Sequence, residues 1–126
     1  MKFLVLGYLD WAKLDGMSET EREAFLKECA VYDGVLRRSG HFLRLEGLDR
    51  SERAKTVRDR NGKAIVTDGP YVETKEQIGG LLLLEARDLS HAAELMSKHP
   101  GLSVGVFEIR AIEEPGCERT GEVRQT

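Results

Sequence analysis

Two segments of this chain are apolar on both faces of a strand, and nothing else in the sequence constrains its fold as strongly. Phe3 to Leu9 carries Phe3, Val5 and Leu9 on one side and Leu4, Leu6 and Tyr8 on the other, while Leu81 to Leu84 is four leucines in succession. Side chains alternate across a strand, so runs of this kind need cover on both faces. With 126 residues the chain fits one domain, able to bury a core without disulfides or a structural metal.

The segments between these runs read as helices and a hairpin. Ser18 and Glu21 form a capping box, and Phe25, Cys29, Tyr32 and Leu36 then recur at helical spacing until Gly40. This predicts an amphipathic helix from about Ser18 to Ser39, followed by a strand over His41 to Leu48 and a charged connector over 47–55. Asn61-Gly62 suits a type I′ turn, with Val57 opposite Val66 in the hairpin it closes. Thr74 and Gln77 are placed to cap a single helical turn, and Gly79-Gly80 is expected to release the chain into a strand over Leu81 to Ala86. A shorter helix over Ser90 to His99 stops before Pro100-Gly101, and Val104 to Ile112 reads as the last strand, expected to be central. The polar tail from Glu113, with Pro115 and Gly116, is expected to fray, leaving 1–112 as the single domain.

The order is β-α-β, a hairpin, then β-α-β, which fits an α+β split βαβ arrangement with the hairpin inserted. Two helices cover one face of such a sheet. The apolar residues on the other face need a second surface, and a two-fold partner is the simplest supply, so a homodimer is expected.

Charge and composition exclude several roles. Nineteen basic against 22 acidic residues give a net charge of −3, which leaves no broad cationic surface and argues against nucleic acid as a direct partner. Cys29 and Cys117 form no C-x-x-C pattern, as expected of a reducing compartment. The run after Lys2 imitates a signal peptide but is too short and lacks a cleavage site, and no stretch approaches the ~20 apolar residues that span a bilayer. A cytoplasmic protein with no membrane association is the expectation. The phosphate-loop, dinucleotide and nucleophile-elbow motifs are missing, and His41, His91 and His99 lack metal-ligand spacing, so no cofactor or metal is implied.

Turn chemistry and carboxylates concentrate between Thr67 and Gly80, T-D-G-P-Y-V-E-T-K-E-Q-I-G-G. Asp68-Gly69-Pro70 restricts the backbone sharply, since proline fixes its own φ and confines the residue before it. The stretch resembles the D-G-P-F signature of the DGPF-domain branch of the YCII-related proteins, with Tyr71 in place of phenylalanine. The likeness continues through Glu73-Thr74-Lys75-Glu76-Gln77, Gly79-Gly80, Leu81 to Leu84 and Phe107-Glu108-Ile109-Arg110, and with the first strand covers roughly nine tenths of the chain. It implies a ferredoxin-like domain of the dimeric α/β-barrel type. Some relatives are associated with lyase or dehydrochlorinase chemistry on small cyclic compounds, others with alternative sigma factors. Broader YCII-related proteins are discussed in terms of a histidine and aspartate acting as an acid–base pair. Counting back from Gly40 along the helix places Cys29, not histidine, near that position.

Asp68, at the mouth of a rigid turn, can serve as acid, base or ligand anchor, or can cap the turn by bonding backbone amides two residues on. Glu73 and Glu76 flank Lys75, where solvated pairing is the simpler reading. Glu108 and Arg110 share one strand face, so they are either paired with each other or line a cavity. Among Tyr8, Tyr32 and Tyr71, Tyr71 is best located to offer a phenol to a ligand. The expected function is a small cleft bordered by Asp68, Tyr71, Glu73, Glu108 and Arg110, for an anionic or phenolic metabolite. Its chemistry would be cofactor-independent acid–base work of lyase or isomerase type. The alternatives are a non-catalytic ligand-binding or regulatory module, or a loop that only organises the dimer.

Overall fold

In the computed structural model, which describes residues 1–113, the first apolar segment forms β1 (Lys2–Asp10). Asp10 then caps a short helix, α1 (Trp11–Asp15), which the sequence reading did not anticipate. The long helix α2 (Glu19–Arg38) begins at the expected capping box: Ser18 Oγ accepts from the Glu21 amide, and Glu21 Oε1 accepts from the Ser18 amide. There follow β2 (Phe42–Gly47), β3 (Lys55–Arg60), β4 (Lys63–Asp68), β5 (Glu76–Glu85), α3 (Leu89–Met96) and β6 (Gly105–Ala111). Short 3-10 turns occupy Ser51–Arg53 and Pro100–Ser103. The expected tail lies, apart from Glu113, outside the described residues.

Four strands form an antiparallel sheet in the order β2-β5-β1-β6, and β3 and β4 form a separate hairpin. The hairpin has the expected register, Val57 opposite Val66, and its turn has positive φ at both Asn61 (53°) and Gly62 (82°), as a type I′ turn requires. The architecture is mixed α+β. Phe3, Val5, Leu82 and Leu84 point from the two central strands towards the helices and are buried with Leu36, Ala92 and Met96.

Three local expectations are corrected. β6 is an edge strand, pairing in the sheet with β1 alone, because β5 takes the other side of β1. β5 starts at Glu76, so Gly79 and Gly80 lie inside it; the register shifts between Gly7 and Tyr8, and Gly79 is the extra residue of a bulge. No helical turn forms at Thr74. The Gln77 side chain instead donates through Nε2 to the carbonyls of Val72 (2.7 Å) and Thr74 (3.2 Å), clasping the loop to the start of the strand.

The face turned away from the helices is ordered in rows. Cross-strand register aligns Arg44, Leu83, Leu4 and Arg110 in one row and Glu46, Leu81, Leu6 and Glu108 in the next. Four leucines thus occupy the centre, and an arginine–glutamate pair closes each edge, Arg44 with Glu46 and Arg110 with Glu108, both at 2.7 Å.

Candidate functional site

A row of residues without side chains runs across the sheet on its helix side. Gly47 is in register with Gly80, Gly80 with Gly7, and Gly7 with Phe107. One step along the same face stand Val5 and Leu82, both buried. Where those side chains fill the space beneath α2, the glycines leave it open. The result is a cavity of about 190 Å³ between bare sheet backbone and the helix, walled by Phe25, Leu9, Leu45, Met96 and Phe107. This is at the scale of a small metabolite, below the ~300–1,000 Å³ of drug-sized pockets.

Two polar side chains enter this apolar lining. Asp33 lies four residues after Cys29 on α2, so both project from one helix face into the cavity. His99 comes from the turn after α3, and its Nε2 lies 2.8 Å from Asp33 Oδ1. The other ring nitrogen, Nδ1, accepts the Gly101 amide at 2.9 Å. An acceptor at Nδ1 leaves the proton of the neutral ring on Nε2, where it is donated to Asp33. Edge-to-face contacts with Tyr32 (5.5 Å) and Phe107 (5.2 Å) hold the imidazole from either side. Both groups are sheltered, His99 being 10% and Asp33 17% exposed. Among the described residues, the hydrogen bonding of the Asp33 carboxylate runs through Oδ1, so Oδ2 remains for a ligand.

Cys29 faces the same space as a neutral thiol. Burial, reinforced by the carboxylates of Asp33 and Glu28, pushes its pKa up to about 11. At neutral pH it is not a thiolate nucleophile. The arrangement therefore offers one carboxylate, buttressed by an imidazole in a largely apolar setting, able to accept a proton or a hydrogen bond.

The residues singled out from the sequence lie elsewhere and do not form one cleft. Asp68 ends β4 with its side chain 86% exposed and its Oδ1 2.6 Å from Lys55 Nζ. The turn after it is held through Gly69, whose amide donates to the Ala54 carbonyl (2.7 Å) and whose carbonyl accepts from Thr56 Oγ1 (2.9 Å). Glu73 shares an open depression with Asp68, Gly69, Pro70, Ser51 and Glu52, and Tyr71 projects into solvent beneath the Arg58 guanidinium. Lys75 reaches back to the buried carboxylate of Asp10 at 3.5 Å. Glu108 and Arg110 resolve their alternative as a pair on the open sheet face; the Arg110 hydrogen bond holds the Glu108 carboxyl below the usual range. Tyr8 adds a long hydrogen bond to Glu108 (3.3 Å), and Tyr32 donates to the Leu95 carbonyl at 2.5 Å.

The sequence reading missed the Asp33–His99 pair because its members are far apart in the chain. It ended the second helix at His99, but α3 ends at Met96, and His99 turns inward instead. The available signal was Asp33 itself, a carboxylate four residues from Cys29 and three from Leu36 on the apolar stripe. A histidine–aspartate pair thus exists in this chain, assembled through space from two elements.

The chain is 30% identical over 122 residues to an uncharacterized protein of Rhizobium meliloti (strain 1021), covering 92% of this chain and 97% of that one. The YCII-related domain matches residues 1–115, a span that holds every strand of the sheet and both Asp33 and His99. The chain belongs to the YCII-related domain family.

Proposed function

We propose that the cavity beneath α2 is the functional site and that the protein binds a small metabolite there, carrying out cofactor-independent acid–base chemistry of lyase or isomerase type. The observation that carries this is the 2.8 Å hydrogen bond between Asp33 and His99 at the wall of a cavity whose remaining lining is almost wholly apolar. The imidazole fixes the orientation of this sheltered carboxylate, which can accept a proton or a hydrogen bond from a ligand. Asp33→Asn keeps the shape and removes the charge. Thermal unfolding against a panel of phenols, lactones and alcohols is expected to show ligand-dependent stabilisation of the wild type that is lost in the variant. A ligand at a hundred times its Kd adds ~2.7 kcal/mol. Equal stabilisation of both proteins by every binder would remove Asp33 from the site.

A second reading is a non-catalytic ligand-binding or regulatory module using the same cavity. It is favoured by His99 having both ring nitrogens engaged, so that the ring cannot carry a proton away without giving up a bond. Saturable binding without product in the wild type would decide for it.

The sheet order, with β6 beside β1 and β5 beside β2, supports a ferredoxin-like topology of the DGPF branch, and the open face supports a homodimer. A two-fold axis lying across the strands between the two rows would set the arginine row of one subunit against the glutamate row of its partner, over a shared leucine centre. Sedimentation at micromolar concentration is expected to show a dimer that weakens in Leu6→Glu. A wild-type monomer would remove this assembly.

A further inference from the structure

We infer that the cavity selects an uncharged ligand that presents a hydroxyl-type donor to Asp33 Oδ2, and that it turns carboxylates away. The inference rests on the cavity being the ligand site. Its starting point is the charge content of the walls: among the described residues that line the cavity, Asp33 is the single carboxylate and no lysine or arginine accompanies it. Both arginines of the sheet, Arg44 and Arg110, stand on the opposite face, each already paired with a glutamate.

An anion entering this space would meet a like charge in surroundings that screen poorly. His99 has both ring nitrogens engaged, Nδ1 by the Gly101 amide and Nε2 by Asp33, so neither is left to meet an anion. Cys29, four residues from Asp33, holds its own proton at neutral pH and gives no charge to the site. What the walls do offer is an acceptor, Asp33 Oδ2, and apolar surface from Phe25, Leu9, Leu82 and Phe107 above the bare backbone of Gly7 and Gly80. A small alcohol or phenol with an apolar body matches both. A carboxylate of the same size would lose its hydration without any counter-charge in return.

The test uses benzyl alcohol and benzoate, which share an apolar ring and differ in charge and donor. The amide resonances of Gly7, Gly80 and Gly101 are followed in wild-type protein by heteronuclear NMR during titration with each. Benzyl alcohol is expected to shift all three saturably, and benzoate to need at least about tenfold more for half-saturation. In Asp33→Asn the gap is expected to narrow to about threefold or less, since the repelling charge is gone. If benzoate binds wild type as tightly as benzyl alcohol, the selection is overturned while the cavity remains the binding site. If neither probe moves these amides in the folded protein, the reading of the cavity falls and the inference with it. Should the variant fail to fold, the wild-type pair of titrations still decides.

Discussion

Gly105→Ala is expected to destabilise the protein by about 3 kcal/mol, at the upper end of what overpacking usually does. A Cβ at this position would overlap the carbonyl oxygen of Tyr8 and lie 2.9 Å from the Tyr8 carbonyl carbon and 3.2 Å from Leu9 Cα. All three are main-chain atoms of β1, so no side-chain rotation relieves the clash. Gly105 is in register with Leu9 at the last pair of the β1–β6 ladder, and the strands can separate there only by giving up that pairing. Urea unfolding with an unchanged slope and a lowered midpoint is the expected result. A loss below about 1 kcal/mol would mean that the two backbones are not held this closely.

Gly80→Val is expected to do the opposite, leaving the fold intact and removing the ligand. A Cβ at Gly80 meets one atom, the Glu46 carbonyl oxygen at 3.5 Å, which is ordinary contact. Valine favours strands, so stability is expected to stay within about 1 kcal/mol of wild type. Its methyl groups would point where Leu82 points, into the cavity floor, and affinity for a ligand that stabilises the wild type is expected to fall about a hundredfold. Calorimetric titration of the folded variant checks this. Unchanged affinity would show that the ligand sits elsewhere. Two glycines of one sheet are thus distinguished by what lies opposite them: backbone at Gly105, empty space at Gly80.

The fold was legible where local chemistry decides it. Ser18 and Glu21 marked the start of α2 to the residue, and Asn61-Gly62 set the hairpin register. The double-sided apolar runs identified the two central strands, β1 and β5. The start of β5 was misread because Gly79-Gly80 is usually a break, and its tolerance here comes from β1 across the sheet. A Cβ at Gly79 would press on the Leu9 side chain, with Leu9 Cγ at 2.9 Å. β6 was expected to be central, but the alternation of Glu108 and Arg110 with apolar residues is what an edge strand with one covered face produces.

The candidate site was much less legible. Asp68, Tyr71 and Glu73 stand where polar residues cluster along the chain, but clustering along the chain is what an exposed loop also gives. Asp33 and His99 carry no mutual spacing that a linear pattern can detect. Their meeting depends on how α2 and the turn after α3 cross the sheet, which is a tertiary property.

The path of the chain around the hairpin has a further consequence. The Leu48 amide donates to the Gly79 carbonyl at 3.0 Å, so the chain departs from the sheet and returns to it at nearly the same point. Between Asp49 and Lys75 no described residue is fully buried, and none lines the cavity. Trimming or exchanging that excursion leaves the residues of the hydrophobic core and the Asp33–His99 pair in place, and gives up only its own ties to the domain, among them Arg50 to Asp15 and Lys75 to Asp10. The Asp68-Gly69-Pro70 stretch and the residues proposed to give the chain its chemistry are thus carried by different pieces of the fold.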